Sequence, residues 1–201
     1  RVLGPVATNC YLIINLDNNE SIIVDPADSP ESIYDMVVRS ASRPQAILLT
    51  HGHFDHAMAA QEVAEQYGIK IYAHETEKET LETPQINLSG MIGRTLTFHA
   101  DCYVKDGEIL NLAGFEIRVL HTPGHTQGGV CYYIEEEKAL FSGDTLFCQS
   151  VGRTDFPTGK SSTLIHSIQD KLMPLPDDTM VYTGHEDMTT IGMERKYNPF
   201  L

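Results

Sequence analysis

Short apolar runs alternate with longer amphipathic stretches along this chain of 201 residues. Residues 10–16 and 21–24 form two apolar runs separated by a polar turn, which predicts a β-hairpin. Pro30 and Glu31 follow at a position suited to a helix start, with apolar residues at helical spacing behind them. Residues 46–50 are almost wholly apolar, which is typical of a strand buried in a sheet.

The same alternation continues to the end of the sequence. A helix is predicted over 57–67, ending at Gly68. Proline and glycine interrupt any periodicity over 75–100, which predicts a loop with at most one helix. Further strands are predicted at 69–73, 110–112, 115–121, 129–134, 139–141 and 180–183, and further helices at 161–171 and 190–196. Because strands and helices alternate throughout, the predicted fold class is α/β with mixed sheets.

Composition excludes several classes of partner. The chain has 14 Lys and Arg against 28 Asp and Glu, a formal net charge of −14, and no basic cluster. Binding to nucleic acid or to an anionic membrane surface is therefore not expected. No apolar run approaches the roughly 20 residues that span a bilayer. The length fits one domain over residues 1–201, and we expect a monomer or small homo-oligomer that acts on a small molecule.

Cysteine and histidine usage narrows the chemistry. The four cysteines are widely separated and form no C-x-x-C pair, which favours reduced thiols. No leader-like pattern is visible at the start of the sequence, so a cytoplasmic protein is expected. The nine histidines are the unusual feature of the composition, because several of them are clustered.

Residues 51–56 read H-G-H-F-D-H directly after the predicted strand 46–50. His51 and His53 are two apart in an extended segment, so both side chains point to the same side and can chelate one ion. Asp55 and His56 follow once the chain has turned, and can face a second point nearby. A polar loop that caps a helix would explain Asp55, but it would not explain three imidazoles.

Three further segments place a potential ligand just beyond a predicted strand: T-P-G-H-T at 122–126, S-G-D at 142–144 and G-H at 184–185. Strand ends are where α/β sheets bind ligands, so these turns can converge on one rim. Nitrogen and carboxylate donors without thiolate suit zinc, iron or manganese. The candidate ligands are His51, His53, Asp55, His56, His125, Asp144 and His185.

These four motifs together resemble the metal signature of the metallo-β-lactamase superfamily, and in particular its short, single-domain glyoxalase II-like hydrolases. The resemblance implies a four-layer αβ/βα sandwich with the site at one edge. It also implies two divalent ions, with zinc expected first and iron or manganese as alternatives. One ion would be held by His51, His53 and His125, and the other by Asp55, His56 and His185. Asp144 would bridge them, so Asp55 and Asp144 are the candidate catalytic carboxylates.

By this resemblance, the activity is the hydrolysis of a thioester, such as S-lactoylglutathione or the ester of a related thiol. The alternative is a persulfide dioxygenase of the same superfamily, which uses a single Fe(II) and retains the same H-x-H-x-D-H motif. A β-lactamase is less expected because those enzymes commonly have cysteine at the position of Asp144. A non-catalytic zinc site is also less expected, because it would need four ligands rather than seven.

Other residues near the motifs have two interpretations each. Arg153 matches a basic residue that contacts glutathione in two-domain glyoxalase II enzymes, or it pairs structurally with Asp155. Asp25 either orients a ligand histidine or makes a turn, and His121 is a weaker candidate for the first of these roles. By this resemblance, a C-terminal glutathione-binding helical domain is not expected, and Asp187 stands where those enzymes have tyrosine. A different thiol carrier is therefore possible.

Overall fold

The computed structural model describes residues 1–201 and contains two large mixed β-sheets with helices on their outer faces. The strands are β1 (Val2–Leu3), β2 (Thr8–Asn9), β3 (Tyr11–Ile14), β4 (Glu20–Val24), β5 (Arg43–Leu48), β6 (Lys70–His74), β7 (Cys102–Val104), β8 (Ile109–Leu112), β9 (Phe115–His121), β10 (Val130–Ile134), β11 (Ala139–Gly143), β12 (Leu146–Phe147), β13 (Ser150–Val151), β14 (Met180–Thr183) and β15 (Thr189–Thr190). The α-helices are α1 (Pro30–Ser40), α2 (Phe54–Ala57), α3 (Ala60–Tyr67), α4 (Lys78–Glu82), α5 (Ser161–Ser167) and α6 (Ile191–Tyr197). Short 3-10 turns at Glu75–Glu77 and Ser89–Ile92, and a π-helical turn at Ile168–Leu172, complete the helical structure.

The two large sheets come from the two halves of the chain. The first sheet has the strand order β3-β4-β5-β6-β7, in which only the β3–β4 pair is antiparallel. The second has the order β15-β14-β11-β10-β9-β8, in which only the β11–β14 pair is parallel. Two small ribbons, β1–β2 and β12–β13, lie outside these sheets.

Three hydrophobic cores lie between the four layers, which are helices, first sheet, second sheet and helices. The side chains of β4 contribute to two of these cores. Ile23 packs with α1 and α3 on the outer face of the first sheet. Ile22 and Val24 point the other way, into the core between the two sheets. Leu164 of α5 and Ile191 of α6 cover the outer face of the second sheet. The period-2 alternation along a strand thus buries both faces of each sheet. The predicted α/β class and four-layer sandwich are confirmed.

Several element boundaries differ from the sequence prediction. β5 begins at Arg43 rather than at the predicted residue 46, because its pairing with β4 extends across Pro44, and it ends at Leu48. Gln45 is an extra residue on β5, since Ser21 pairs with Pro44 and Ile22 pairs with Ala46. The helix predicted over 57–67 is broken into α2 and α3, so the helical segment begins at Phe54. Strand β7 lies at the sheet edge just beyond the segment predicted to be irregular, and the two-residue strands were too short to leave a periodic signal.

The helices and the cysteines can be compared with the predictions made from composition. No helix is long and apolar enough to cross a membrane. The four cysteines are unpaired, and Cys10 and Cys131 are buried.

Candidate metal centre

The loop after β5 positions four of the seven candidate ligands. His53 is the residue before α2 and has extended backbone angles, with φ −65° and ψ 146°. His51 lies two residues earlier, so both imidazoles precede the helix, whereas Asp55 and His56 lie on its first turn. This change of backbone conformation separates the two pairs. The three histidines of the loop are all buried.

The other three candidates come from the second sheet. His125 lies in the loop between β9 and β10, Asp144 directly follows β11, and His185 lies two residues after β14. The structure brings all seven side chains together at one edge of the sandwich, where their donor atoms form three overlapping groups. One group is His51, His53 and His125, another is Asp55, His56 and His185, and the third joins His51, His56 and Asp144.

Distances within the first two groups are short. His53 Nδ1 lies 3.1 Å from His51 Nε2 and 3.0 Å from His125 Nε2. In the other group, His185 Nε2 lies 3.3 Å from both His56 Nε2 and Asp55 Oδ2. Each group therefore presents three donor atoms to one point.

Asp144 lies between these groups. Its Oδ1 is 3.3 Å from His56 Nε2, and its Oδ2 is 3.5 Å from His125 Nε2 and 3.6 Å from His185 Nε2. One carboxylate is thus within reach of donors from both groups. This is the placement that a bridging ligand requires.

One buried oxygen of the cluster has unused bonding capacity. Asp144 Oδ1 makes no hydrogen bond, although it is inaccessible to solvent. His53 Nε2 is also without a partner, but the nitrogen of that ring that faces His51 and His125 is Nδ1, so Nε2 points away from them. Burying polar atoms without a partner is costly, and such atoms are rare unless they serve a ligand or ion. The donor set, which is imidazole nitrogen and carboxylate oxygen, fits divalent transition metals.

The electrostatics of the cluster also suit cation binding. Burial and the neighbouring imidazoles hold the pKa of His51 well below its usual value, and burial lowers the pKa of His53 to about 3. Both rings are therefore neutral at pH 7, which is the form that coordinates a metal. Burial alone would raise the pKa of Asp55, but His56 and His185 together lower it to about 2. That carboxylate is consequently ionised.

Two hydrogen bonds to the rear of the histidines fix which nitrogen faces the cluster. His56 Nδ1 donates to Asp25 Oδ2 at 2.9 Å, and His125 Nδ1 donates to the Arg153 carbonyl at 2.7 Å. In both rings the Nε2 lone pair is left for the cluster. Asp25 also accepts from the Thr50 backbone N–H at 2.8 Å and from its hydroxyl at 2.7 Å. Both interpretations of Asp25 therefore apply, since it makes the turn and orients a histidine.

Glu77 connects two ligand-bearing loops, and the sequence did not mark it. Its side chain is fully buried. Oε1 accepts from the Gly52 backbone N–H at 2.8 Å and Oε2 accepts from the Thr126 hydroxyl at 3.1 Å. Burial raises its pKa to about 7. Glu77 lies in the segment predicted to be irregular, where no periodicity distinguishes a buried carboxylate from an exposed one.

Gly184 is required by close packing against the cluster. A Cβ atom at this position would lie 2.2 Å from Asp144 Oδ1 and 2.9 Å from His56 Cε1. Any side chain here would displace one of these two groups. The glycine before His185 therefore lets the last ligand loop approach the other loops closely.

The cluster lies at the base of a cleft of about 990 Å³, whose lining includes Arg153. The Arg153 guanidinium donates to both carboxylate oxygens of Asp155, at 2.8 and 2.6 Å, and stacks 4.1 Å from the centre of the Phe156 ring. The structure thus contains the pairing with Asp155, and a role in substrate binding stays a prediction. His121 stacks on His74 and bonds to the Gln127 carbonyl rather than to a candidate ligand.

Relatives with similar sequences span nearly the whole chain. "Probable metallo-hydrolase YqgX" of Bacillus subtilis is 41% identical over 99% of this chain and 94% of its own length. "Hydroxyacylglutathione hydrolase GloC" of Haemophilus influenzae is 39% identical over 96% of this chain and 92% of its own length.

Solved structures show the same similarity. The BLEG-1 B3 metallo-beta-lactamase is 43% identical and superimposes with a TM-score of 0.95, covering 100% of this chain and 97% of its own. TTHA1623 in a di-iron-bound form is 35% identical with a TM-score of 0.88, covering 100% of this chain and 98% of its own.

The model of the metallo-beta-lactamase superfamily matches residues 3–185, a range that includes all seven clustered side chains. The family resemblance predicted from the four motifs is therefore confirmed. The chain belongs to the metallo-beta-lactamase superfamily.

Proposed function

We propose that this protein is a dinuclear metal-dependent hydrolase that cleaves thioesters in the manner of glyoxalase II. The observation that carries the proposal is the position of Asp144, within 3.6 Å of donor atoms from both three-residue groups. The name of the GloC relative supports a thioester substrate, and the di-iron form of TTHA1623 supports a centre of two ions. Zinc is the first expectation for the native metal, with iron or manganese as alternatives.

The roles of the side chains follow from their positions. His51, His53 and His125 would hold one ion, Asp55, His56 and His185 the other, and Asp144 both. A pair of divalent ions at such a site lowers the pKa of water towards neutrality and polarises a carbonyl oxygen. Asp55 and Asp144 would cancel half of the charge of two such ions and leave the centre electrophilic. Asp25 would keep His56 in the tautomer that presents Nε2 to the centre.

The reaction consumes one water molecule. The water oxygen forms a bond to the acyl carbon as the carbon–sulfur bond breaks, and the products are a carboxylic acid and a thiol. The departing sulfur takes the electron pair of the broken bond and then a proton. The Arg153–Phe156 stack lies next to His53, because the Phe156 and His53 rings are 5.8 Å apart, so it would form one wall for the bound thioester.

The proposal is tested by a thioesterase panel with metal content measured on the same sample. Protein loaded with zinc or with iron is assayed for thiol release from one acyl group carried on glutathione, coenzyme A and N-acetylcysteamine. We expect two ions per chain and turnover of at least one ester.

Asp144→Asn is expected to lose an ion or at least 100-fold in kcat/KM. Asp170→Asn, an exposed substitution of the same kind, is the control. Full activity of Asp144→Asn with two ions bound would refute the bridging role.

Two further assays cover the competing activities. Oxygen uptake with a persulfide, by protein holding one iron per chain, would replace the hydrolase proposal with the dioxygenase alternative. Because BLEG-1 is described as a B3 metallo-beta-lactamase, a chromogenic cephalosporin belongs in the same panel. Hydrolysis of that β-lactam with a higher kcat/KM than every thioester would also overturn the proposal.

A further inference from the structure

Charged side chains at the cleft mouth are arranged unfavourably for an anionic substrate. Outside the candidate ligands, Arg153 is the one basic residue in the cleft lining, and its charge is paired with Asp155, which accepts from its Nε and Nη2 groups. Glu186 and Asp187, which directly follow His185, also line the cleft. Both are exposed, and neither carboxylate forms an ion pair. The mouth therefore presents two unpaired negative charges and no unpaired positive charge.

The remainder of the mouth is apolar. Val2 and Val6 from the N-terminal segment line the cleft with Met91 and Ile92 from the 3-10 turn Ser89–Ile92. Their side chains are 60%, 45%, 71% and 41% exposed, respectively. Exposed apolar side chains gathered around one cleft are typical of a surface that binds the apolar part of a ligand.

We propose, on the basis of the thioesterase function above, that this cleft selects thioesters whose thiol portion carries no net negative charge. The apolar part of that thiol would lie against Val2, Val6, Met91 and Ile92. A glutathione ester has two carboxylates and one ammonium group in its thiol portion, so Glu186 and Asp187 would repel it. The chain has a formal charge of −14, which two divalent ions would reduce to −10, and this remaining negative charge would add to the repulsion by slowing the approach of anions.

The matched substrates are S-lactoylglutathione and its diethyl ester, which share the acyl group, the peptide and the reacting sulfur. The proposal predicts that kcat/KM of the zinc-loaded enzyme is at least tenfold higher for the diethyl ester at low ionic strength. The ratio should shrink as salt is added, because exposed charges are screened. Equal values, or a higher value for S-lactoylglutathione, would overturn the selectivity while leaving the thioesterase function intact. Absence of turnover with both esters and throughout the earlier panel would instead refute the thioesterase function.

Two double variants test whether the charges at the cleft mouth cause the difference in kcat/KM between the two esters. Glu186→Gln with Asp187→Asn should lower the ratio of the two kcat/KM values several-fold. Glu136→Gln with Glu137→Gln removes the same net charge from the exposed turn between β10 and β11 and should leave that ratio unchanged. Equal shifts in both double variants would contradict a role for Glu186 and Asp187.

The contribution of the apolar side chains to substrate binding is measured separately, through KM. Met91→Gln should raise KM for the diethyl ester several-fold with little change in kcat, since Met91 lies outside the ligand cluster. An unchanged KM would remove Met91 from the proposed thiol-binding surface.

Discussion

Asp25 combines a backbone role with a role in the candidate centre. Its carboxylate binds the Thr50 N–H and hydroxyl and also the His56 ring, so one side chain joins the ends of β4 and β5 to a candidate ligand. Its backbone has a positive φ of 49°, which a non-glycine residue adopts only where the surroundings enforce it. The orientation of His56 therefore depends on an interaction 31 residues away in the sequence.

Asp25→Asn should weaken metal binding at the group that contains His56 by about 10–100-fold, because an amide supports the required imidazole tautomer poorly. Competition with a chromophoric chelator measures the two dissociation constants. Binding at the group of His51, His53 and His125 is the internal control and should change less. Equal affinities of variant and parent for both ions would contradict this role for Asp25.

Glu77→Gln should destabilise the metal-free protein by about 1–3 kcal/mol, because a glutamine has one acceptor oxygen where Gly52 and Thr126 now use two. Urea unfolding of variant and parent measures the difference. Glu79→Gln, an exposed substitution two residues away, is the matched control and should have little effect. If the Glu77 and Glu79 variants unfold alike, Glu77 does not hold the two loops together.

The candidate ligands could be predicted from the sequence because they lie in short motifs with informative spacing. Asp25 was identified only as one of two interpretations, and Glu77 was not identified. Both act through partners at least 25 residues distant in the sequence. Long-range pairing of this kind leaves no local pattern, whereas a chelating pair such as His51 and His53 does.

Helices and strands with a full repeat of apolar positions were predicted well from the sequence, whereas short or interrupted ones were not. The β3–β4 hairpin and helix α1 match the prediction because their polar turn and Pro30 are strong local signals. The break between α2 and α3 was missed because residues 54–67 contain no proline or glycine. The chain turns there because the Ala59 N–H bonds to the Pro26 carbonyl, a tertiary contact that overrides helix propensity.

The ends of β6 and β9 meet through a stacked pair of imidazoles. The rings of His74 and His121 are 4.0 Å apart and inclined by 10°. Burial, reinforced by the charge of His121, lowers the pKa of His74 to about 4, while Glu75 and Asp106 oppose the shift. Because the folded-state pKa is below the ordinary value of 6.5, protonation favours the unfolded chain. The contribution of His74 to the free energy of unfolding is therefore constant above pH 6.5, and the free energy of unfolding decreases as the pH falls from 6.5 towards 4.

His74→Phe should therefore flatten the dependence of unfolding free energy on pH between 6.5 and 4. Phenylalanine keeps the stacked ring but cannot bind a proton. Urea unfolding of the metal-free variant and parent at several pH values measures this slope, with His166→Phe on the exposed face of α5 as the control for loss of an imidazole. Parallel curves for the His74 variant and the parent would exclude His74 as a source of acid sensitivity.

The candidate metal centre joins the two halves of the sandwich. Four candidate ligands follow the first sheet, and His125, Asp144 and His185 follow strands of the second. The layer order could be predicted through the family resemblance, because the motifs occur at strand ends in both halves. The lining of the cleft mouth could not be predicted, because it combines Val2, Met91 and Glu186 from segments distant in the sequence.

Metal removal should therefore destabilise the entire protein rather than one loop. A ligand present at 1,000 times its dissociation constant stabilises the folded state by about 4 kcal/mol. At this chain length that corresponds to a loss of roughly 8–16 °C in Tm when a chelator removes the ions. Calorimetry of zinc-loaded and chelator-treated protein measures the shift, and zinc should reverse it. An identical Tm before and after removal would show that the ions do not link the two sheets.

The proposed activity requires that seven side chains hold two ions with Asp144 between them. Anomalous X-ray scattering from crystals of the zinc-loaded protein tests it most directly, because each ion gives its own peak. We predict two peaks about 3.5–4 Å apart, one beside His51, His53 and His125 and the other beside Asp55, His56 and His185. A single peak in fully loaded protein, or two peaks that Asp144 does not join, would contradict a dinuclear centre bridged by Asp144.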